Sequence, residues 1–169
     1  RAQRADGNGP PIALKRLHPQ LAQVDEFVQA FLDEAKLAVR LDHDNIARTY
    51  DVGRVGDTYF MAMELIRGPT LSQVMNHCWS TKREIPLPIA MYVIIQLLDA
   101  LDYAHDAVDD HGAPLHIIHR DVTPSNVILS TAGVAKLIDF GIAKAASSSV
   151  RTKTGFIKGK FAYVAPEYI

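Results

Sequence analysis

Two short segments in the second half of the chain constrain its fold most. Residues 119–126 read His-Arg-Asp-Val-Thr-Pro-Ser-Asn, and residues 139–141 read Asp-Phe-Gly directly after the predicted strand 135–138. The first segment places an aspartate and an asparagine one loop turn apart, and the second places another aspartate at the end of a strand. Carboxylate and amide oxygens are hard ligands that suit Mg²⁺. We therefore expect a loop and a strand end that meet at a polar site.

The spacing of apolar residues predicts two parts, a strand–helix–hairpin part followed by a part made of helices and loops. Thr70 is a predicted helix cap, Gly56-Asp57 is a predicted hairpin turn, and Asp109–Gly112 is a predicted polar turn. The predicted elements are strands at 11–15, 46–55, 58–66, 117–118, 127–129 and 135–138, helices at 25–41, from 71 and at 88–107, and a loop at 143–160.

Composition narrows the class of protein. The formal net charge is −1 and the pI about 6.7, so we expect no nucleic-acid or membrane-surface binding. One cysteine excludes an internal disulfide framework and fits a reducing compartment. The apolar stretch 89–101 is predicted to be too short for a bilayer, and the polar start does not resemble a signal peptide. A cytoplasmic segment is the expectation.

The polar residues fit one reaction class. Phosphoryl transfer needs a group that orients the attacking hydroxyl, oxygen ligands for magnesium, and a cation on the nucleotide phosphates. Asp121 can fill the first role, Asn126 and Asp139 the second, and Lys15, at the end of the first predicted strand, the third.

At these residues the chain resembles the protein kinase superfamily, and within it the bacterial Hanks-type (eukaryotic-like) Ser/Thr kinases. The resemblance runs from Ile-Ala-Leu-Lys at 12–15 to Ala-Pro-Glu at 165–167. It implies an α+β fold with two lobes, a partial small lobe at 1–66 and a partial large lobe at 67–169. A glycine-rich phosphate-covering hairpin is then expected upstream of Arg1, and further helices are expected after Ile169.

The resemblance also implies roles for the central polar residues. Lys15 would hold the α- and β-phosphates, and Glu34 would keep that lysine aimed. The alternative for Glu34 is a solvated helix charge like Asp33, but Glu34 follows the apolar face of its helix. Asp121 would be the catalytic base, and Asn126 and Asp139 would be the magnesium ligands.

Apolar residues and one backbone segment are implied to bind adenine. Met63 resembles the gatekeeper, and the carbonyl of Glu64 and the amide of Ile66 resemble the adenine-reading hinge. Ala13 and Ile128 would sandwich the ring. An ordinary core role explains the apolar residues equally well.

Three further residues carry regulatory expectations. Arg120 resembles the arginine that receives an activation-loop phosphate. Thr152 and Thr154 resemble the paired acceptors of bacterial relatives and are preferred over the serines at 147–149. His119 is expected to pack against Phe140 and to be structural, although a search for a general base would select it.

Two positions depart from the family. Ser/Thr kinases usually carry a lysine two residues after the catalytic aspartate and a threonine after the glycine of the substrate loop; here these positions hold Thr123 and Lys160. A reciprocal exchange is one explanation, in which Lys160 reaches back towards Asp121 and the Thr123 hydroxyl is its hydrogen-bonding partner. Two independent drifts in a weakened enzyme are the alternative.

The expected function is ATP-dependent transfer of the γ-phosphoryl group to Ser or Thr hydroxyls of proteins, with Mg²⁺ or else Mn²⁺. Pro124 and the lack of an Ala-Ala-Arg loop favour Ser/Thr over Tyr. The expected partners are protein substrates and a second kinase copy that phosphorylates the activation loop, while an anchor beyond Ile169 is compatible with this segment. A pseudokinase scaffold, an inactive fragment and a small-molecule kinase are the alternatives.

Overall fold

The computed structural model describes residues 11–140 and Tyr163. The α+β class predicted from the sequence is confirmed, while the division at residue 67 stays a prediction. Within the described residues the elements are β1 (Ile12–Arg16), α1 (Asp25–Ala38), β2 (Thr49–Val55), β3 (Thr58–Glu64), α2 (Leu71–Ser80), α3 (Leu87–His105), a 3₁₀ turn (Pro124–Asn126), β4 (Val127–Leu129) and β5 (Ala135–Leu137). The segment 143–160, predicted as a loop, lies outside the described residues.

The first sheet is antiparallel, with the strand order β1-β3-β2. Its register places Lys15 opposite Met61 and Ala13 opposite Met63. Helix α1 buries one face, which includes Phe31 and Glu34. A small core joins this face to the sheet and consists of Leu17, Phe31, Ala35 and Met61. The predicted helical stripe therefore positions Glu34 towards the sheet, as expected from its register.

The second sheet pairs β4 with β5, and β5 is bonded on its other edge as well. Leu137 N–H donates to Asn45 O (2.8 Å), and Ala47 N–H donates to Leu137 O (2.9 Å). The buried Asn45 side chain donates to Ala135 O (3.0 Å) and to Gln96 Oε1 on α3 (2.7 Å). The segment between α1 and β2 is thereby attached to the strand that precedes Asp139.

Helices α2 and α3 follow the first sheet. Thr70 caps α2 as predicted and forms a capping box with Gln73. Helix α3 is two residues shorter at its C-terminal end than predicted, and its buried residues are Val93, Ala100 and Ala104. The core that they enter also contains Leu41, Ile46, Ile117, Val127, Ala135, Leu137 and Phe140.

The expectation that the apolar stretch of α3 is too short for a bilayer is wrong on length. Among the described residues, α3 is the one helix long and apolar enough to cross a membrane by length and composition. The continuous helix extends beyond residues 89–101 at both ends, which explains the difference. Helix α3 buries Val93, Ala100 and Ala104 in the core, whereas several of its large apolar residues, such as Ile95 and Leu98, are exposed.

The strand predicted at residues 117–118 does not form. Ile117 is buried in the core, but no ladder hydrogen bonds flank it. His116 (φ 50°) and Arg120 (φ 59°) adopt left-handed backbone conformations on either side. Because these conformations reverse the chain direction, an extended strand cannot continue through them. Of the two apolar side chains only Ile117 is buried, while Ile118 is exposed, so residue type indicated neither the backbone geometry nor the burial of both.

Gly68 is needed where the chain passes from the first sheet to α2. A Cβ atom at this position would lie 1.9 Å from the carbonyl oxygen of Leu129. The hydrogen bonds from Leu129 N–H to Pro69 O (2.9 Å) and from Thr131 N–H to Arg67 O (2.8 Å) hold this segment against β4. The close approach therefore cannot relax without the loss of these bonds.

We predict that Gly68→Ala lowers the free energy of unfolding by about 2 kcal/mol, as expected for overpacking of a tight contact. Urea unfolding of the intact protein measures it. The matched control is Gly56→Asn, because no atom lies within 4 Å of a Cβ there and asparagine tolerates its φ of 56°. Equal unfolding midpoints for Gly68→Ala and the wild type would contradict this account of the contact.

Candidate active site

Lys15 contacts one acidic residue from helix α1 and another from the segment after β5. Its ammonium group lies 2.8 Å from Glu34 Oε1 and 3.0 Å from Asp139 Oδ1. Strand β1, helix α1 and the segment after β5 each supply one of these residues. The sequence predicted the Lys15–Glu34 pair, and the structure brings the two side chains together over 19 positions of the chain.

The charges around Lys15 favour its protonated form. Burial opposes the charge on the ammonium group, but Asp139 and Glu34 together outweigh burial and raise the pKa of Lys15 above its ordinary value. The side chain of Glu34 is almost fully buried, whereas that of Asp139 is 39% exposed. Lys15 is therefore a fixed cation at neutral pH, and a group approaching from solvent can reach Asp139.

The loop after α3 carries Asp121 and Asn126, and hydrogen bonds tie it to β5. The Asn126 side chain donates to the backbone oxygen of Asp121 (2.8 Å) and to Asp121 Oδ2 (2.9 Å). Ile138 N–H donates to the backbone oxygen of Asn126 (2.9 Å). Asp139 follows Ile138 directly, so one connected set of contacts links all five polar residues singled out in the sequence.

Two site residues have strained backbones. Asp139 has a φ of 57° and Arg120 a φ of 59°, in the left-handed region that non-glycine residues rarely adopt. Such conformations cost about 1–3 kcal/mol each and cluster at functional sites, where the surrounding contacts hold them. The strain turns Asp139 out of the extended path of β5, and its carboxylate meets Lys15.

His119 is buried beneath this loop. Its ring packs on Phe140 with the centroids 4.7 Å apart, which confirms the predicted contact. Asp121 N–H donates to His119 Nδ1 (3.2 Å), so Nε2 carries the proton and donates to Ile138 O (3.2 Å). Burial lowers the pKa of His119 below its ordinary value, although several contacts act in the opposite direction. A neutral imidazole with both nitrogens occupied is a structural support.

The side-chain oxygen atoms of Asn126 and Asp139 are of the chemical type that binds a magnesium ion. The Asn126 amide nitrogen faces Asp121, and no described residue donates a hydrogen bond to its side-chain oxygen. One oxygen of Asp139 meets Lys15, and the exposed carboxylate retains acceptor capacity. Oxygen donors of this kind are the ligands that Mg²⁺ prefers, usually together with waters and substrate phosphates.

The residues predicted to line an adenine site lie on both sheets. Ala13 and Met63 are cross-strand partners on β1 and β3, and Ile128 lies opposite Lys136 on β4 and β5. Glu64, which ends β3, and Ile66 are partly buried.

The sequence reasoning missed Lys136, which pairs with the Glu64 side chain at 2.9 Å. The only signal was its position three residues before Asp139 of the Asp-Phe-Gly motif.

Five predicted positions remain to be placed. Arg120, which precedes Asp121, is exposed. Thr123 is buried, and its hydroxyl has no hydrogen-bond partner within the part of the chain that the structure describes. Lys160, Thr152 and Thr154 lie outside the described residues.

The lowered pKa of His119 predicts a loss of stability in mild acid. The unfolded chain takes up a proton near pH 6.5, whereas the folded chain resists it, so stability is full above about pH 6.5 and falls as pH decreases below that value. We expect a lower urea midpoint at pH 5.5 than at pH 7.5. His119→Asn should be less stable at pH 7.5 and should show a smaller pH difference. An unchanged pH difference in that variant would exclude His119 as the cause.

Comparisons with known proteins agree with this geometry. The chain is 39% identical over 163 residues to "Tyrosine-protein kinase MasK" of Myxococcus xanthus, covering 96% of this chain and 25% of that protein. It is 34% identical over 164 residues to "Serine/threonine-protein kinase PknA" of Mycobacterium tuberculosis, covering 94% of this chain and 35% of that protein. The chain thus spans about a quarter to a third of these two relatives.

A solved structure is similar as well. The kinase domain of Mycobacterium tuberculosis PknI matches with a TM-score of 0.67 at 32% sequence identity, over 82% of this chain and 51% of that one. The family model described as the protein kinase domain matches residues 2–169. With nearly every residue inside that match, the chain belongs to the protein kinase family.

Proposed function

We propose that this chain is the catalytic part of an ATP- and Mg²⁺-dependent protein kinase that phosphorylates Ser or Thr hydroxyls. The observation that carries the proposal is the connected set of contacts from Glu34 through Lys15 to Asp139, and from Asn126 to Asp121. A scaffold that only binds partners has no need to keep both sets of contacts. Relatives named as Ser/Thr kinases support the acceptor class.

In the proposed reaction a bond forms between the substrate hydroxyl oxygen and the γ-phosphorus, and the bond from that phosphorus to the β,γ-bridging oxygen breaks. The hydroxyl proton passes to the Asp121 carboxylate, which the Asn126 amide holds through a hydrogen bond. Lys15 would bind the α- and β-phosphates, aimed by Glu34. Bound Mg²⁺ neutralises phosphate charge, and Asn126 and Asp139 would hold it. The adenine would lie between Ala13 and Ile128, beside the Met63 gatekeeper and the backbone of Glu64 and Ile66.

Two other acceptor or activity classes remain as test outcomes. MasK, the 39% identical relative, is named a tyrosine kinase, which favours a tyrosine hydroxyl as the second candidate. Pro124 and the absence of an Ala-Ala-Arg loop favour Ser or Thr. A pseudokinase scaffold would bind nucleotide without magnesium-dependent transfer. Analysis of the phosphorylated amino acid separates the first two, and the absence of transfer identifies the third.

Regulation and placement follow from the same proposal. The exposed guanidinium of Arg120 is available to an activation-loop phosphate on Thr152 or Thr154, which would order the loop through charge-assisted hydrogen bonds. A second copy of the kinase would deliver that phosphate, and protein substrates are the other partners. We place the chain in the cytoplasm, without a nucleic-acid partner and without membrane contact of its own.

We predict that the intact protein phosphorylates itself on Thr152 or Thr154 with Mg-ATP, and that Asp139→Ala reduces the rate at least about a hundredfold. The loss is expected because a magnesium ligand and a partner of Lys15 disappear together. Phosphate incorporation and mass-spectrometric site mapping measure it. The control is Asp57→Ala, which removes a fully exposed carboxylate in the β2–β3 turn. Equal rates for Asp139→Ala and the wild type would refute the proposed role.

We also propose that Thr123 and Lys160 have exchanged the residue types that kinases usually place at these two positions. The buried Thr123 hydroxyl supports the idea, because a polar atom with no partner among the described residues leaves a hydrogen bond to be made. Under this proposal Lys160 supplies the cation near the γ-phosphate, and phosphate stabilisation depends on the substrate loop. Independent drift at the two positions is the alternative.

Restoration of the usual arrangement tests the exchange. Lys160→Thr and Thr123→Lys alone are each expected to lower kcat about tenfold or more. Lys160→Thr leaves no cation at the γ-phosphate, and Thr123→Lys buries an ammonium group in addition to that of Lys160. The double variant Thr123→Lys/Lys160→Thr is expected to recover most of the rate. Single-turnover phosphate transfer measures all four proteins. Additive losses in the double variant would show that the two positions act independently.

A further inference from the structure

An ion pair lies at the edge of the proposed nucleotide site. Lys136 Nζ is 2.9 Å from Glu64 Oε2, and the two side chains are only 17% and 28% exposed. They are 72 positions apart in the chain, one on β5 and the other at the end of β3. The pair therefore connects the strand leading to Asp139 with the segment that would read adenine.

Backbone groups also hold Glu64. Its N–H donates to Arg48 O (2.8 Å), and its Oε2 accepts from Arg48 N–H (3.3 Å) as well as from Lys136. Strand β3 ends at Glu64, so ladder hydrogen bonds no longer fix the backbone beyond it. The contacts of the Glu64 side chain therefore act at the residue where the ladder hydrogen bonds end. They restrict the orientation of the peptide group that follows Glu64.

Lys136 is also close to the floor of the proposed site. It lies directly opposite Ile128 in the β4–β5 register. Opposed residues of an antiparallel pair project from the same face of the sheet, so the lysine stem runs beside Ile128. Its ammonium group then reaches Glu64 across the gap between the two sheets.

From these contacts we infer that Lys136 is a positioning residue for adenine recognition, which acts by fixing Glu64 so that its backbone carbonyl faces the exocyclic amino group of the base. The inference rests on the proposed function and adds a determinant of nucleotide selectivity to it. Preorganisation of the carbonyl removes an ordering cost from binding. The ion pair can do this because its partial burial protects it from screening.

An exposed ion pair of similar length supplies the comparison. Arg54 and Asp57 are 3.0 Å apart in the β2–β3 turn, with side chains 54% and 101% exposed. Exposed pairs of this kind contribute little to stability. Arg54→Met therefore removes an exposed cation of the first sheet without affecting the segment after β3.

The test compares ATP with purine riboside triphosphate, which lacks the 6-amino group, by titration calorimetry on the intact protein with Mg²⁺. The wild type is expected to bind ATP more tightly. Lys136→Met should weaken ATP about fivefold, the value of one hydrogen bond, and should weaken the purine analogue less than about twofold. Lys136→Arg should recover most of the ATP affinity, and Arg54→Met should leave both affinities unchanged.

Glu64→Gln provides a second route if Lys136→Met does not fold. It should show the same selective loss, and the double variant Glu64→Gln/Lys136→Arg should lose no more than Glu64→Gln alone. Equal weakening of both nucleotides, or no weakening, would overturn the inference and reduce the pair to a structural contact. A wild type that binds neither nucleotide would overturn the proposed function itself.

Discussion

The buried strand β5 is the element on which the rest of the site depends. Only three residues long, it is hydrogen-bonded to β4 on one edge and to the segment Asn45–Ala47 on the other. Ala135 and Leu137 are almost fully buried. Because a buried backbone group without a partner is costly, this double pairing fixes the strand in one register. The chain continues from β5 to Asp139, so the start of this segment is fixed relative to β4 and to the segment Asn45–Ala47.

Charge is organised around that fixed strand. The carboxylate of Asp139 pairs with Lys15, and the ammonium group of Lys136 pairs with Glu64. Both lysines are partly buried and both partners lie far away in sequence. In each case the strand or its end connects to the first sheet through an ion pair. The same short segment thus supports the phosphate end and, by our inference, the adenine end of one nucleotide site.

The loop that carries His119 and Asp121 shows why residue type alone does not identify a general base. His119 has the residue type of a general base, yet both of its ring nitrogens are used to hold Asp121 N–H and Ile138 O. Neutral imidazole accepts on one nitrogen and donates on the other, which matches these two partners. Its function is to shape the loop, while the carboxylate of Asp121 remains bonded to Asn126. Residue type alone would have selected His119 as the general base, whereas its ring contacts favour a structural role.

The sequence by itself determined the family motifs, the order of most elements and the five polar residues, because apolar period and short local motifs encode them. It also indicated the α2 cap and the His119–Phe140 contact. Only the tertiary structure decided that residues 117–118 form no strand and that Lys136 meets Glu64 across 72 positions. These depend on backbone reversals and on contacts between distant segments. No local pattern of residues records either, since both arise only when the two sheets pack together.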